Sequence, residues 1–211
     1  MPFQRRFFEG RAFPVSVPAG EGPFPCVVFL HGVGENGTDG EKHLAVGLPA
    51  RVGPDFPAVV VAPQCRGPWM YRGDDERLVM GALEAVCREV PVDRGRIYLT
   101  GLSQGGCSAF DLGAKHPEVW AALVVVCGAG RIADAMRLRR TPIRIYHGER
   151  DEVIPPSGHH QFDRETVGGR DMSKVLPHAA YVEFPGADHF IWDRVYGDPG
   201  LWDWLFAQRR P

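Results

Sequence analysis

A serine flanked by glycines marks the first place in this chain where chemistry is expected. Residues 101–105 read GLSQG, a G-x-S-x-G pattern. The β-branched and aromatic residues at 96–100 predict a buried strand before it, and the spacing at 104–116 predicts a helix after it. Glycines on both sides of a serine permit a sharp strand-to-helix turn that exposes the hydroxyl at the sheet edge. The pattern predicts Ser103 as a nucleophile; the alternative is an ordinary glycine-rich turn.

A serine hydroxyl is a weak nucleophile until a base accepts its proton, and a histidine is the usual base. His189 follows the strand predicted at 181–184, so its ring is expected at the same sheet edge as Ser103. The chain offers four competitors, which are His147, His159, His160 and His178. The place of His189 in the loop after the last strand favours it as the base.

A carboxylate is needed to orient the imidazole and to stabilise its charged form. Asp151 lies in the loop after the strand predicted at 143–146 and is the expected acid. Glu149 and Glu152 lie beside it, and each of the three can also be a plain surface charge.

The reaction also requires N–H groups that donate hydrogen bonds to the oxyanion of the tetrahedral intermediate. The backbone N–H of Gln104, at the start of the predicted helix, supplies one such donor.

The elements that must position these residues alternate between strand and helix. Strands are predicted at 26–30, 58–62, 96–100, 122–126, 143–146 and 181–184, and helices at 75–90, 104–116, 132–138 and 201–209. One or two edge strands are expected within 7–17, a helix at 158–166 and a loop through 168–169. This order predicts a single α/β domain over 1–211, with a mostly parallel sheet between helices and sites at the carboxyl ends of its strands.

Composition narrows the class of partner. A net charge of −2 gives no reason to expect nucleic acid, and no apolar run is long enough to span a membrane. The five cysteines are scattered and are expected to be reduced. Residues 1–8 start like an export signal, but polar residues and a proline follow, so we expect a cytoplasmic protein, with a mature secreted form left open.

Two weaker patterns concern ligands. Aromatic residues on loops after strands suggest an apolar substrate pocket, with Trp69 and Trp192 as substrate-binding candidates and Met70, Tyr71 and Phe190 beside them. Histidines at 159 and 160 with Asp163, or His31 with His43, raise the possibility of a metal, but these spacings match no common ligand pattern. We therefore expect neither a metal nor a cofactor.

Four segments together resemble the α/β-hydrolase superfamily. They are LHGVGENG at 30–37, GLSQGG at 101–106, HGERDEVIP at 147–155 and GADHF at 186–190. Within the superfamily they are most similar to the phospholipase/carboxylesterase group, which includes acyl-protein thioesterases, and to feruloyl-esterase-like and "predicted peptidase" proteins. The resemblance implies an α/β-hydrolase fold with the order nucleophile, acid, histidine, met by Ser103, Asp151 and His189.

The resemblance also implies a second oxyanion donor and an activity. The backbone N–H of Val33 would join that of Gln104 in the oxyanion hole, and only about a dozen residues separate Gly130 from Ile143, which leaves no room for a large lid. The implied activity is a serine carboxylesterase acting on small-molecule esters through an acyl-enzyme. An acyl-thioesterase or serine peptidase using the same triad, or a non-catalytic binding protein of this fold, are the alternatives; the oligomeric state is not predicted.

Overall fold

The strands of the chain form one large sheet and one small sheet. Residues 3–67, 70–161 and 163–210 are described by a computed structural model of the chain, and within them eight strands pair in one sheet and three in another. The strands are β1 (Gln4–Phe8), β2 (Arg11–Ser16), β3 (Phe24–Leu30), β4 (Val59–Val61), β5 (Val92–Leu102), β6 (Ala122–Val126), β7 (Ala129–Arg131), β8 (Ile143–Gly148), β9 (His159–His160), β10 (Asp163–Gly168) and β11 (Ala180–Phe184). The helices are α1 (Asp74–Glu89), α2 (Gln104–Lys115), α3 (Ala135–Leu138), α4 (Gly169–Val175), α5 (Trp192–Tyr196) and α6 (Pro199–Ala207).

The large sheet has the order β1-β2-β4-β3-β5-β6-β8-β11. The hairpin of β1 and β2 is antiparallel and joins the edge of β4, whereas all neighbours from β4 to β11 are parallel. The mostly parallel sheet confirms the α/β prediction, and the hairpin around Glu9 and Gly10 confirms the edge strands expected within 7–17. The single-domain organisation over 1–211 stays a prediction.

Side chains alternate across the sheet and fill two separate cores. In β3, Cys26, Val28 and Leu30 pack in the core under α1 to α4, while Val27 and Phe29 pack in the core under α5 and α6. A strand buried on both faces is apolar at every position, which is why its sequence reads as a continuous apolar run. Helices therefore cover both faces, and the loops at the carboxyl ends of the strands are left to form a site.

The prediction of a helix at 158–166 is wrong. Residues 159–160 form β9 and residues 163–168 form β10. In the small antiparallel sheet β10 pairs with both β7 and β9, and the predicted loop at 168–169 is where α4 begins. Thr166 and Val167 pair with Arg131 and Gly130, more than thirty residues earlier in the chain. A strand held by such a distant partner leaves little periodic signal in its own sequence, since tertiary pairing decides its conformation.

Residues 127–142 contain β7, a turn of 3₁₀-helix at Ile132–Asp134 and α3, so no large lid is inserted there, as predicted. Among the described helices, none combines the length and apolar character needed to cross a bilayer.

The loop after β4 is fixed by a buried carboxylate at the start of α1. Asp75 accepts hydrogen bonds from the backbone N–H groups of Arg66 and Gly67, and its Oδ1 lies 2.5 Å from Nη2 of Arg11. The side chains of Arg11 and Asp75 are only 12% and 9% exposed. Burial would raise the pKa of Asp75, but the hydrogen bonds from Arg11, Cys65 and the two amides lower it overall. The carboxylate thus holds residues 65–67 at the sheet edge.

We expect Asp75→Ala to lower the free energy of unfolding by about 3–5 kcal/mol, because the guanidinium of Arg11 would remain buried without its counter-charge. Chemical denaturation at neutral pH measures the change. Asp74→Ala is the matched control: its side chain is 85% exposed, and a loss within about 1 kcal/mol is expected. Equal losses in the two variants would contradict the role given to Asp75.

Candidate functional site

Ser103 lies on a strained turn between β5 and α2. Its backbone has φ 55° and ψ −122°, a conformation that L-residues rarely adopt. A Cβ at Gly101 would lie 2.2 Å from the carbonyl oxygen of Gly105, and a Cβ at Gly105 would lie 2.0 Å from that of Leu30. The flanking glycines are therefore required by close backbone approach, and the turn directs the Ser103 hydroxyl out of the sheet edge, as the motif predicts.

His189 lies within hydrogen-bonding distance of Ser103. Its Nε2 is 2.8 Å from the Ser103 Oγ, although the two residues are 86 positions apart. The loop that carries His189 packs directly on the loop that carries the acid, since a Cβ at Gly148 would lie 1.9 Å from the carbonyl oxygen of Asp188. The backbone N–H of Arg150 also donates to the carbonyl of Ala187 at 2.8 Å. These contacts hold the imidazole beside the serine.

Asp151 completes the chain of hydrogen bonds. Its Oδ2 accepts from Nδ1 of His189 at 2.6 Å, and its Oδ1 accepts from the backbone N–H groups of Val153 and Ile154 at 2.9 and 2.8 Å. The side chain is buried. Glu149, the neighbouring carboxylate considered beside Asp151, instead accepts a hydrogen bond from the backbone N–H of Gly186 at 2.6 Å.

A second histidine contacts the same carboxylate. The Nε2 of His147 lies 2.8 Å from the carbonyl oxygen of Ile154 and 3.2 Å from Oδ2 of Asp151, so one N–H is shared between the two acceptors. Burial would raise the pKa of Asp151, but the hydrogen bonds from His147 and His189 hold it well below its usual range. His147 is predicted above as a competitor of His189 and lies in the HGERDEVIP segment, and its place four residues before Asp151 is the signal that could have assigned this contact.

The two backbone N–H groups predicted as oxyanion donors both belong to the first residue of a helical turn. Gln104 is the first residue of α2, and Val33 is the first residue of a 3₁₀-turn, Val33–Glu35. First-turn N–H groups have no acceptor within their own helix and can bind an anion. A Cβ at Gly32 would lie 3.4 Å from the Cβ of Ser103, so the loop of Val33 is in van der Waals reach of the serine.

The predicted pocket residues are divided between the surface and the interior. The ring of Trp192 lies 5.7 Å from that of His189 and 5.0 Å from that of Phe190, which is 67% exposed. Met70 and Tyr71 are buried, and the Tyr71 hydroxyl donates to the carbonyl of Pro63, so neither forms an exposed pocket wall. Trp69 lies outside the described residues.

The histidines considered for a metal do not form a ligand set. On β9, His159 is exposed and His160 is buried, so the two rings face opposite sides. His31 engages both ring nitrogens, with the Gly32 carbonyl and the Cys65 N–H. Among the described residues, ligand atoms of Cys127, His147 and Asp151 lie within 4.8 Å of one another. A cation there would compete for the atoms of Asp151 that hold His189. His178, the remaining competitor of His189, contacts carbonyls of the loop at 138–141 instead.

Comparison with known proteins shows that the chain is similar to esterases. No family model matches the chain. A protein named Esterase Rv0045c from Mycobacterium tuberculosis (strain ATCC 25618 / H37Rv) is 29% identical over 206 residues, which cover 90% of this chain and 65% of that protein. The structure of a thermostable esterase is 29% identical, with a TM-score of 0.78 over 99% of this chain and 63% of the other. The chain thus spans less than two thirds of the length of either protein.

A third similarity supports the fold alone. The feruloyl esterase module from Clostridium thermocellum superposes with a TM-score of 0.67 over all of this chain and 89% of the module, at 14% identity. The fold of this chain is therefore shared with a protein of very different sequence.

Buried His31 makes the stability of the fold depend on pH. Burial lowers the pKa of His31 to about 4, below its usual 6.5. Between these values the unfolded chain binds a proton that the folded chain excludes, so stability is fully present above about 6.5 and falls as the pH drops towards 4. The loss from this residue is expected to approach about 3 kcal/mol.

Unfolding free energies of the wild type and His31→Gln between pH 7.5 and 4 measure this loss. The variant lacks the titrating group, so its stability should decline less steeply than that of the wild type, and the difference between the two proteins should narrow as the pH falls. Parallel curves would show that His31 does not titrate in this way.

Proposed function

We propose that the chain is a member of the α/β-hydrolase superfamily and a serine hydrolase that cleaves carboxylic esters through an acyl-enzyme. The observation that carries the proposal is the continuous chain of hydrogen bonds from Ser103 Oγ through His189 to Asp151, with distances of 2.8 and 2.6 Å. The similarity to two esterases at 29% identity supports the same reaction class. Membership of the narrower phospholipase/carboxylesterase group, which includes acyl-protein thioesterases, stays a prediction.

In the first half of the reaction, Ser103 is the nucleophile. His189 Nε2 accepts the hydroxyl proton as Oγ attacks the carbonyl carbon, and Asp151 Oδ2 stabilises the resulting imidazolium through its Nδ1–H. Negative charge develops on the former carbonyl oxygen, where the N–H groups of Gln104 and Val33 would stabilise it. When the intermediate collapses, the ester C–O bond breaks and the alcohol leaves with the proton from His189. The acyl group stays on Ser103.

The second half returns the enzyme to its starting state. A water molecule gives a proton to His189 and attacks the acyl carbon, and the same two N–H groups would hold the second oxyanion. Collapse expels Ser103 Oγ, which regains a proton from His189, and the carboxylic acid is released. Atoms and electrons balance over these reaction steps without a redox partner or an external cofactor.

The substrate class that the surroundings of the site favour is a small ester with an apolar or aromatic group. Phe190 and Trp192 both pack edge-on against the His189 ring, with centroids 5.7 Å away. Val33, whose N–H is a proposed oxyanion donor, is 51% exposed, and Val153, whose N–H donates to Asp151, is 45% exposed. An apolar rim of this kind favours burial of a hydrophobic acyl or alcohol moiety during binding.

Ser103→Ala is expected to reduce hydrolysis of a short-chain p-nitrophenyl ester by roughly 10³-fold or more, since the nucleophile is lost. The initial rate with purified protein measures the effect, and Ser157→Ala, in the loop before β9, is the matched control with expected wild-type rates. Labelling by a fluorophosphonate, followed by peptide mapping, should find the label on Ser103. Equal rates for wild type and Ser103→Ala would remove the proposed nucleophile.

Phe190→Ala should raise KM for an aryl ester about tenfold, while KM for the corresponding acetate of a small alcohol changes little, because one buried aromatic contact contributes about 1–2 kcal/mol. Phe7 on β1 is 65% exposed, close to the 67% of Phe190, so Phe7→Ala controls for loss of an exposed ring. An unchanged ratio of the two KM values in Phe190→Ala would argue against a substrate contact.

A further inference from the structure

The two proposed oxyanion donors are connected by a pair of side-chain amides. Nε2 of Gln104 donates to Oδ1 of Asn36 at 3.1 Å, and Nδ2 of Asn36 lies 3.4 Å from Oε1 of Gln104. Gln104 follows the nucleophile, and Asn36 lies three residues after Val33 and ends its 3₁₀-turn. The pair therefore joins the start of α2 directly to the loop after β3.

The orientation of the Asn36 amide is fixed by a third contact. Its Nδ2 donates to the carbonyl of Gly67 at 2.6 Å, and a carbonyl oxygen can only accept. The Oδ1 atom must then face Gln104, which accounts for the direction of the bond from Gln104 Nε2. Asn36 is also the only asparagine in the chain, and no other side chain of the loop from 31 to 37 contacts Gln104 in the described hydrogen bonds.

The surroundings hold both partners still. Gln104 is fully buried, and its Nε2 also lies 3.3 Å from the sulfur of Cys65. The Cys65 thiol contacts Asp75 Oδ2 at 3.2 Å, the same carboxylate that holds Gly67. Burial and the neighbouring Asp75 raise the pKa of Cys65 to about 12, so it stays a thiol that can donate to Asp75. The amide pair is thus anchored to the buried ion pair of Arg11 and Asp75.

Few other hydrogen bonds fix the distance between the loop after β3 and α2. Glu35 stabilises the turn internally, since its Oε2 accepts from the Gly32 N–H at 3.1 Å, and Gln64 donates to the Glu35 carbonyl at 3.0 Å. These contacts shape the loop or join it to the segment after β4. Among the described hydrogen bonds, those between Asn36 and Gln104 are the ones that run directly from this loop to the helix of the nucleophile.

We propose that Asn36 is a positioning residue that sets the separation of the Val33 and Gln104 N–H donors, so that both meet one oxyanion. The inference rests on the proposed function and deepens it. Donors act through preorganised geometry, and a displacement of about 1 Å can cost about 10²-fold in rate. Asn36 itself touches no reacting atom. Its effect should appear in the transition state and not in binding of the substrate ground state.

The test compares Asn36→Ala and Asn36→Asp with the wild type on a short-chain p-nitrophenyl ester. Asn36→Ala should lower kcat about 10- to 100-fold with KM changed less than about threefold. Asn36→Asp keeps the shape and the acceptor for Gln104 but places an oxygen against the Gly67 carbonyl, so it should be impaired at least as much. Thr38→Ala, an exposed position on the same loop, is the matched control and should retain wild-type kcat.

A second readout separates this role from a general loss of structure. A trifluoromethyl ketone adds to a serine hydroxyl and places an oxyanion in the hole, so its affinity should weaken by the same factor as kcat/KM across the Asn36 variants. The matching methyl ketone, which adds far less readily, should bind almost unchanged. In a double-mutant cycle, Asn36→Ala with Gln104→Ala should lose no more activity than the more impaired single variant, because both changes remove one interaction.

The outcomes distinguish the two proposals. If Ser103→Ala is as active as the wild type, the proposed function fails, and the role of Asn36 fails with it. If Ser103 is essential but Asn36→Ala keeps wild-type kcat and wild-type affinity for the trifluoromethyl ketone, only the role of Asn36 is overturned. Losses that follow the thermal unfolding midpoint, with both ketones weakened equally, or strictly additive losses in the cycle, would also overturn it.

Discussion

The close approach of backbone to backbone around Ser103 is the constraint on which the rest of the site depends. The carbonyl oxygen of Leu30 occupies the space that a Cβ at residue 105 would need, and that of Gly105 occupies the space of a Cβ at residue 101. The sheet, α2 and the loop after β3 can therefore meet only where side chains are missing. This packing holds Ser103 at a positive φ of 55° and brings the loop that carries Val33 into van der Waals reach of the serine.

Burial of polar groups gives the site its second layer of organisation. Asp151 has four hydrogen-bond contacts, and they keep it ionised in a place where burial alone would favour its neutral form. Asp75 does the same for the loop after β4, with Arg11 as its counter-charge. Both carboxylates order the backbone of a loop and also contact a side chain that matters to the site, His189 for Asp151 and Cys65 for Asp75. Fully satisfied networks of this kind are rigid, which suits donors that must not reorganise during a reaction.

The small sheet of β7, β9 and β10 includes the segment predicted as a helix at 158–166, between Asp151 and His189. In this sheet β10 pairs with β7, which follows the strand that precedes Cys127, and β9 pairs with β10. A buried thiol at Cys127 contacts the His189 carbonyl at 3.3 Å, and burial raises its pKa well above the usual value. The loop that carries His189, the proposed base, thus packs against the buried Cys127 on one side and against the loop that carries Asp151 on another, so its position does not depend on a lid.

The sequence by itself determined the strand and helix alternation, the turn at Ser103 and the loops that carry Asp151 and His189, because each depends on local signals: apolar runs, glycine spacing and positions after strands. Only the tertiary structure decided which side chains meet. The segment predicted as a helix at 158–166 forms strands because β10 pairs with β7. The contact of Asn36 with Gln104 joins two segments whose residue types and spacing do not indicate that they meet. Side chains far apart in the chain are brought together by the packing of the sheet, and that packing depends on every element at once.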